Sequence, residues 1–362
     1  MSRVLGIMSG TSIDGVDYAL CEVDARRITL RKHWQVPFPA SLRRRLHAAA
    51  ADRSNTYELG QLHHDLGRFY AEHASRRGTP KAEIAGLHGQ TVFHDAAGGA
   101  TLQIGEPSWL ARKLRVPVIS NFRAADLAAG GQGAPLATMF HARVFAERGR
   151  HICVNNLGGI SNVTSLDWRG GSPRITAFDT GPANMLIDLA VSRATKGRQR
   201  FDRNGVIARR GTLDERLLMR LLKHRFFKEK PPKSTGRELF GEAFLARIMK
   251  HAPHVPGSDL VTTLTEFTAR SIALNYLLHL PSTPDRVILC GGGAANSALV
   301  AAIRVNLPTE VVACDSLGWP AQAIEPAAFA LLAWLRVEGK PGNIPETTGA
   351  SRAVLLGQIT SP

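Results

Sequence analysis

The sequence predicts an α/β protein built from two halves of like organisation. Three observations lead there. The chain has 362 residues, with 44% hydrophobic and 21% charged, enough for about two domains and a substantial core. Short apolar runs of strand type alternate with stretches of helical period. Each half also opens in the same way: strand, hairpin of small residues, strand, strand.

In chain order, residues 1 to about 35 read as three strands. The first turn is made of small and hydroxylated residues, Ser9 to Asp17. Residues 37–79 read as helical, with Leu42, Leu46, Leu59, Leu62, Leu66, Phe69 and Tyr70 at helical spacing. Ile84–Leu87 is a short strand ending in His88-Gly89-Gln90-Thr91, and Leu102–Gly105 is another. Pro107 to Leu114 fits a helix opened by Glu106-Pro107-Ser108, and Val116–Ser120 is a strand. A Gly-rich joint, 129–136, separates the halves. The pattern then restarts. Ile152–Leu157, Val163–Leu166 and Ile175–Phe178 read as strands, with Gly158 to Asn162 as the second hairpin tip. Asp179-Thr180-Gly181-Pro182-Ala183-Asn184 opens a helix, Met185 to Ala194. Arg286–Cys290 is a strand running into Gly291-Gly292-Gly293-Ala294-Ala295-Asn296 and a helix, Ser297 to Val305. Glu325 to Leu335 is a last helix, and 340–362 reads as a short tail. The expected domains are 1–135 and 136–362, the last helix being able to pack back on the first.

The four cysteines, Cys21, Cys153, Cys290 and Cys314, are far apart, with no zinc-site spacing. They read as buried free thiols of a reducing compartment. No signal-peptide pattern opens the chain, and no apolar stretch reaches the ~18 residues of a membrane span. A cytoplasmic protein is expected, with no membrane partner. The net charge of +15 raises the question of nucleic acid. The basic residues are scattered, however, aromatics are only 6%, and no nucleic-acid-binding motif occurs, so no nucleic-acid partner is expected. The charge suits a solvated face or the steering of an anionic substrate.

No Walker-type loop and no GxGxxG follows a strand, so any nucleotide is held in another way. The tip at Ser9–Asp17 either lets backbone N–H groups and hydroxyls approach an anion or is an ordinary turn. Gly291 to Asn296, before a helix, either offers bare backbone and a helix dipole to a nucleotide or makes a tight βα turn. Asp179, at an expected strand end, is either a general base facing a ligand crevice or a helix N-cap. His88, Gln90 and His94 lack zinc spacing and fit polar substrate contact or strand-end hydrogen bonds. Arg123 and Asp126 either clamp a carboxylate ligand or form a structural pair. The basic, Pro-interrupted stretch Lys228 to Arg237 is a solvated loop or a flap near phosphates.

Taken together and in order, the stretches GIMSGTSIDGVD, HGQTVFH, FRAADLAAGGQGAPL, NLGGISNVT, FDTGPANMLID, KSTGRELF, GGGAANSAL and EPAAFALLA resemble the anhydro-N-acetylmuramic acid kinase family. They run from residue 6 to about 335. The resemblance implies two RNase H-like domains of the actin/Hsp70/sugar-kinase superfamily, facing across a nucleotide cleft. It implies cleavage of the 1,6-anhydro bond by water and phosphorylation of O6 from ATP, with Mg²⁺, in murein recycling, and a homodimer. Asp179 matches the catalytic aspartate. Gly10, Thr11, Ser12, Ile13, Asp14, Gly15, Val16 and Asp17 would hold ATP phosphates. Gly158, Gly159 and Asn162 would face them, and Gly291, Gly292, Gly293 and Asn296 would hold adenosine. Glu325 would lie near nucleotide and metal. His88, Gln90, Arg123, Asp126, Gln132, Gly133 and Asn184 would bind the sugar. The metal carboxylate is open among Asp14, Asp17, Asp179 and Glu325. The chain departs from the family at Asn121, where Asp is usual, and at Ala137-Thr138, where Val-Pro is common. Met8 stands where sugar kinases often carry a metal-associated Asp. The alternatives are a kinase of another hexosamine, an ATP-driven interaction protein of Hsp70-like fold, and a nucleic-acid binder.

Overall fold

The structure, a computed structural model, describes all of Met1–Pro362. It divides into two compact units, Met1–Val144 with Gln322–Pro362, and Phe145–Ala321. The boundary expected at 135/136 thus falls at 144/145, and 322–362 belongs with the first unit rather than the second.

The first unit begins with an antiparallel meander of β1 (Ser2–Ser9), β2 (Gly15–Val23) and β3 (Ile28–Pro37). The helical stretch breaks into α1 (Ala40–Ala50) and α2 (Thr56–His73). The break is written locally. Asn55 accepts from the Glu58 N–H while the Glu58 carboxylate accepts from the Asn55 N–H, a capping box that starts a new helix. β4 (Ile84–Asp95) is longer than the expected Ile84–Leu87. It runs parallel to β1, continues through His88 to His94, and folds back on β5 (Ala100–Ile104). α3 (Ser108–Leu114) leads to β6 (Val118–Ser120), parallel to β4. Two short helices that the sequence pattern did not show follow, α4 (Ala124–Ala128) and α5 (Thr138–Phe145).

In the second unit β7 (His151–Leu157), β8 (Ile160–Asp167) and β9 (Arg174–Pro182) repeat the meander, followed by α6 (Asn184–Ala194). α7 (Glu215–Leu221), α8 (Arg237–Phe240), α9 (Glu242–His251) and the long α10 (Gly257–His279) precede β10 (Arg286–Cys290), α11 (Ser297–Asn306) and β11 (Glu310–Ala313). α10 escaped the pattern because its buried surface is rich in hydroxyls. Thr263, Thr265, Thr268 and Ser271 are all buried in it. Threonine hydroxyls donate to carbonyls one turn back, as in Thr263 to Asp259 (2.7 Å) and Thr265 to Val261 (2.8 Å), so these polar residues go into the core without orphaned donors.

The chain then returns to the first unit as α12 (Ile324–Val337), α13 (Pro345–Thr348) and β12 (Gln358–Thr360), which pairs with β6. The expected tail is therefore folded structure. α12 packs on the sheet at glycine distance. A Cβ at Gly6 would lie 1.7 Å from the Pro326 carbonyl oxygen, and one at Gly86 would lie 2.3 Å from that of Phe329. β1 and β4 are thereby covered on both faces, by α12 on one and by Leu46, Leu62, Leu66 and Tyr70 of α1 and α2 on the other.

The strand order is β3-β2-β1-β4-β6 in the first unit, with β12 beyond β6, and β9-β8-β7-β10-β11 in the second. In both, the central meander is antiparallel and the last two strands join parallel to its first. This is the RNase H-like arrangement, once in each unit.

Candidate active site

Residues with chemistry gather in each unit at the carboxyl end of the first strand, where hairpin and parallel neighbour meet.

In the first unit, Gly10 to Asp14 join β1 to β2. The Ile13 N–H donates to the Gly10 carbonyl (3.1 Å) and Ile13 adopts a left-handed φ of 56°, uncommon for a β-branched residue. Its side chain is buried, which holds the strained turn while Thr11, Ser12 and Asp14 stay exposed. Gly15 and Val16, expected in the tip, are paired strand residues of β2 opposite Pro37 and Val36, and the Val16 side chain is core. Asp17 lies within reach of His33 Nε2 (3.3 Å).

Gln90 is fully buried and braces the hairpin, its Nε2 donating to the Gly10 carbonyl (3.2 Å), while its Oε1 is buried without a partner. The side chain placed with the sugar by resemblance thus reaches the first hairpin. His88 donates from Nδ1 to the Gly89 carbonyl (2.8 Å) and accepts at Nε2 from Arg123 Nε (3.2 Å) and Nη2 (2.9 Å). Burial, with the Arg123 charge, pushes its pKa down to about 3, so it is a neutral acceptor that orients the guanidinium. Arg123 also donates to the Gly133 carbonyl (2.6 Å). Its pKa falls to about 10 through burial, against the pull of Glu325 and Asp126, so it remains charged.

Asp126 is not available to a ligand in this arrangement. It is fully enclosed. Its Oδ2 accepts from the Gly133 N–H (2.8 Å), and its Oδ1 accepts from Asn343 Nδ2 (2.7 Å) and Thr348 Oγ1 (2.7 Å). It ties the Gly-rich loop to the returning C-terminal segment, a partner no local reading of the sequence supplies. The Gln132 N–H donates to the Thr348 carbonyl (2.8 Å), leaving its side chain exposed. Glu325, in the first turn of α12, is open to solvent though crowded by protein. Crowding first and the Asp17 charge second raise its carboxyl pKa, and Arg123 opposes them.

In the second unit Asp179 is neither at a strand end nor a helix cap. β9 runs on to Pro182, and α6 starts behind Ala183, which makes no side-chain cap. Asp179 pairs with Asn162 and Gly181 with Ser161, so Thr180 is the extra residue of a bulge. β9 is the edge of its sheet, and a loop covers the edge at this point. The Asp179 N–H donates to the Lys233 carbonyl (3.0 Å), and its Oδ2 accepts from the Thr235 N–H (2.7 Å). Burial raises the Asp179 pKa to about 6; the Thr235 bond and Lys233 oppose this and Glu238 adds to it. A buried polar chain backs the bulge. Thr180 Oγ1 donates to Ser161 Oγ (2.6 Å), Asn155 Nδ2 donates to the same oxygen (2.8 Å), and Asn275 Nδ2 donates to the Thr180 carbonyl (2.9 Å).

The second hairpin tip serves α6. The carbonyls of Gly158 and Gly159 accept from the N–H groups of Asn184 (3.0 Å) and Met185 (3.1 Å), the helix's first donors. Asn184 Nδ2 donates to the Leu157 carbonyl (2.8 Å). A Cβ on Gly293 would lie 2.9 Å from Asn184 Oδ1 and one on Gly291 would lie 2.3 Å from Asn156 Oδ1. Asn184 therefore sits beside the triple-glycine loop. Gly291 needs its φ of 76° as well as its lack of side chain. Asn296 caps α11, its Oδ1 accepting from the N–H groups of Ala298 (3.1 Å) and Leu299 (3.2 Å).

Ser161, Thr180 and Asn275 do not stand out as site residues in the sequence, and 233–235 reads there only as part of a solvated loop or a flap near phosphates. The KSTG run was visible, but only the fold shows which side chain it touches.

Comparison with known proteins agrees along the whole chain. A family model described as anhydro-N-acetylmuramic acid kinase matches residues 2–362. The anhydro-N-acetylmuramic acid kinase of Gloeobacter violaceus is 44% identical over 371 residues, covering 98% of this chain and 97% of the relative. That of a Picosynechococcus species is 41% identical over 382 residues, covering 99% and 100%. Among solved structures, the activator of 2-hydroxyisocaproyl-CoA dehydratase from Clostridium difficile with bound ADPNP is similar at 13% identity and a TM-score of 0.46, covering 93% of this chain and 96% of that one.

Proposed function

Because this chain belongs to the anhydro-N-acetylmuramic acid kinase family, we propose that it converts 1,6-anhydro-N-acetylmuramic acid, ATP and water into N-acetylmuramic acid 6-phosphate and ADP. The observation that carries the chemistry is Asp179. It is a carboxylate whose burial raises its pKa to about 6, held by a backbone N–H at one oxygen. Such a group is a general base near neutral pH.

Asp179 takes a proton from the water whose oxygen bonds to C1 of the sugar. The C1–O6 bond breaks, its electron pair passing to O6. O6 bonds to the γ-phosphorus of ATP as the bond to the β,γ-bridging oxygen breaks, and ADP leaves. The Asp179 proton returns to solvent.

The exposed hydroxyls of Thr11 and Ser12 and the backbone of Gly10 to Asp14 support phosphate binding by the first hairpin. The bare backbone of Gly291, Gly292 and Gly293, with Gly158, Gly159, Asn162, Asn184 and the helix start at Asn296, supports an adenosine site. Arg123, aimed by His88 and the Gly133 carbonyl, suits the lactyl carboxylate of the sugar, with the Gln132 amide beside it in the loop. Gln90 and Asp126 act behind these as braces.

Asp17 and Glu325 are the carboxylates that fit Mg²⁺ best. Crowding and the Asp17 charge raise the Glu325 pKa, and a divalent cation between the two carboxylates would relieve that cost. Mg²⁺ takes one or two carboxylates plus phosphate oxygens, and when bound would neutralise phosphate charge. A cytoplasmic location, for which the four buried free cysteines speak, and a homodimer belong to the same proposal. No helix is long and apolar enough to cross a membrane.

The test is one incubation of protein, Mg-ATP and the anhydro sugar in ¹⁸O-enriched water, read by mass spectrometry. Sugar 6-phosphate with ¹⁸O at the anomeric carbon is the expected product. Unlabelled product, or no sugar phosphate, would remove the coupled hydrolysis.

A further inference from the structure

The basic run before α8 left a question in the sequence, and the fold gives it a place. β9 is an edge strand, and Asp179 sits on it with an outward N–H that no strand takes. The loop supplies what the sheet does not. The Lys233 carbonyl accepts that N–H, and two residues on the Thr235 N–H reaches the carboxylate itself. Asp179 is thus gripped at backbone and side chain by one short segment.

A loop can grip only if it is itself held. Here the anchor is the Lys233 side chain. Its Nζ donates to the Phe226 carbonyl (3.1 Å), lies 3.2 Å from His279 Nε2, and rests 4.6 Å from the centre of the Phe226 ring. Phe226 and Phe227 are core residues in a 3₁₀ turn, Arg225–Lys228, and His279 ends α10. The lysine therefore bolts the loop to two rigid parts of the second unit.

We propose that Lys233 is a positioning residue for the reaction, holding the 233–235 loop so that it sets the place and charge of the Asp179 carboxylate. The proposal rests on Asp179 being the general base.

The groups facing this pair are few. Lys233 and Glu238 bear on Asp179 with opposite sign; Glu229 and Asp179 bear on Lys233, and His279 touches it. The Lys233 pKa falls to about 8 by burial, opposed by Glu229 and Asp179, so it is largely charged at neutral pH and favours the Asp179 carboxylate.

The experiment compares full-length wild type, Lys233→Met, Lys233→Arg, Asp179→Asn and the double variant Asp179→Asn/Lys233→Met. The readouts are kcat, both KM values and the pH profile of kcat. Lys233→Met is expected to lose roughly 10–100-fold in kcat with both KM values little changed. Its acid limb moves to higher pH, because the charge that favoured the carboxylate is gone. Lys233→Arg restores the limb. The double variant is no slower than Asp179→Asn alone. An acid limb that stays in place in Lys233→Met, or a double variant that loses the full product of both effects, overturns the positioning role. If Lys233→Met does not fold, Lys233→Gln takes its place, and an acid limb that stays at the wild-type pH in Lys233→Gln overturns the role in the same way. Near wild-type turnover in Asp179→Asn would instead overturn the base assignment beneath it, so the two failures are distinct.

Discussion

The two hairpins of this chain share a place in the topology and differ in use. The first, Gly10–Asp14, turns its small residues outward. Thr11, Ser12 and Asp14 are exposed, and a Cβ on Gly10 would meet nothing nearer than Ser12 Oγ at 3.9 Å. The second, at Gly158–Gly159, turns its carbonyls onto the N-terminus of α6, and a Cβ on Gly159 would lie 3.2 Å from Met185 Cε. One tip leaves its polar groups open. The other uses them to fix a helix and, through Asn162, stands across from Asp179. Duplicated topology therefore fixes where a site lies without fixing what each copy of the motif does there.

Substitutions can break or sharpen that contrast. Asp179→Asn is expected to have the largest effect, lowering kcat by about 10²–10⁴ with ATP binding kept. A second readout follows from linkage. The folded-state pKa is raised from 3.8 to about 6. Stability from this group is thus greatest at low pH and is lost as pH rises through about 6. The Asn variant lacks that loss, so its Tm should exceed wild type at about pH 8, with the gap closing toward pH 4. An equal Tm at both pH values would argue against a strained carboxylate.

Two glycines sharpen the contrast by setting the first hairpin against the triple-glycine loop. Gly293→Ala places a Cβ 2.7 Å from that of Leu157 and should destabilise the protein by about 1–3 kcal/mol. Gly10→Ala should leave stability within about 0.5 kcal/mol and raise the KM for ATP. Thermal melts and ATP titrations of the pair decide it; equal destabilisation would erase the distinction between the open first hairpin and the packed triple-glycine loop.

Thr180→Val removes the hydroxyl that reaches Ser161, leaving buried polar groups short of a partner. A loss of about 1–3 kcal/mol is expected, with Thr180→Ser largely restoring it. The smallest effect is expected of Glu238→Gln. It removes a charge that raises the Asp179 pKa, so the acid limb of the kcat profile should move to lower pH. A shift the other way would mean that Glu238 acts through the loop rather than through its charge.

Much of this was legible locally. The meanders, the two tips and the triple-glycine loop are written in short apolar runs and in residues that turn, and the structure has them where the pattern puts them, whereas the Gly-rich run expected as a joint lies inside the first unit. The capping box at Asn55 splits a helical stretch that periodicity ran together, and it could have been read from the sequence. What stayed hidden lacks a local signal. α10 conceals its core face behind threonines whose hydroxyls bond backward along the helix. Asp179 reads as cap or base until β9 is seen to run past it. Asp126 reads as a ligand group until Asn343 and Thr348 arrive from the far end of the chain.

By itself, then, the sequence determined the kind of elements, their order, the family and the residue types that chemistry requires. These depend on side-chain period, turn propensity and motif spacing, which are properties of neighbours in the chain. The tertiary structure alone decided which polar groups remain for a ligand and which are taken by the protein. That assignment depends on partners distant in sequence: Lys233 and Thr235 at Asp179, Gly10 at Gln90, Arg123 at His88. Burial set by those partners also moves the Asp179 pKa to about 6, and no composition or spacing carries that information.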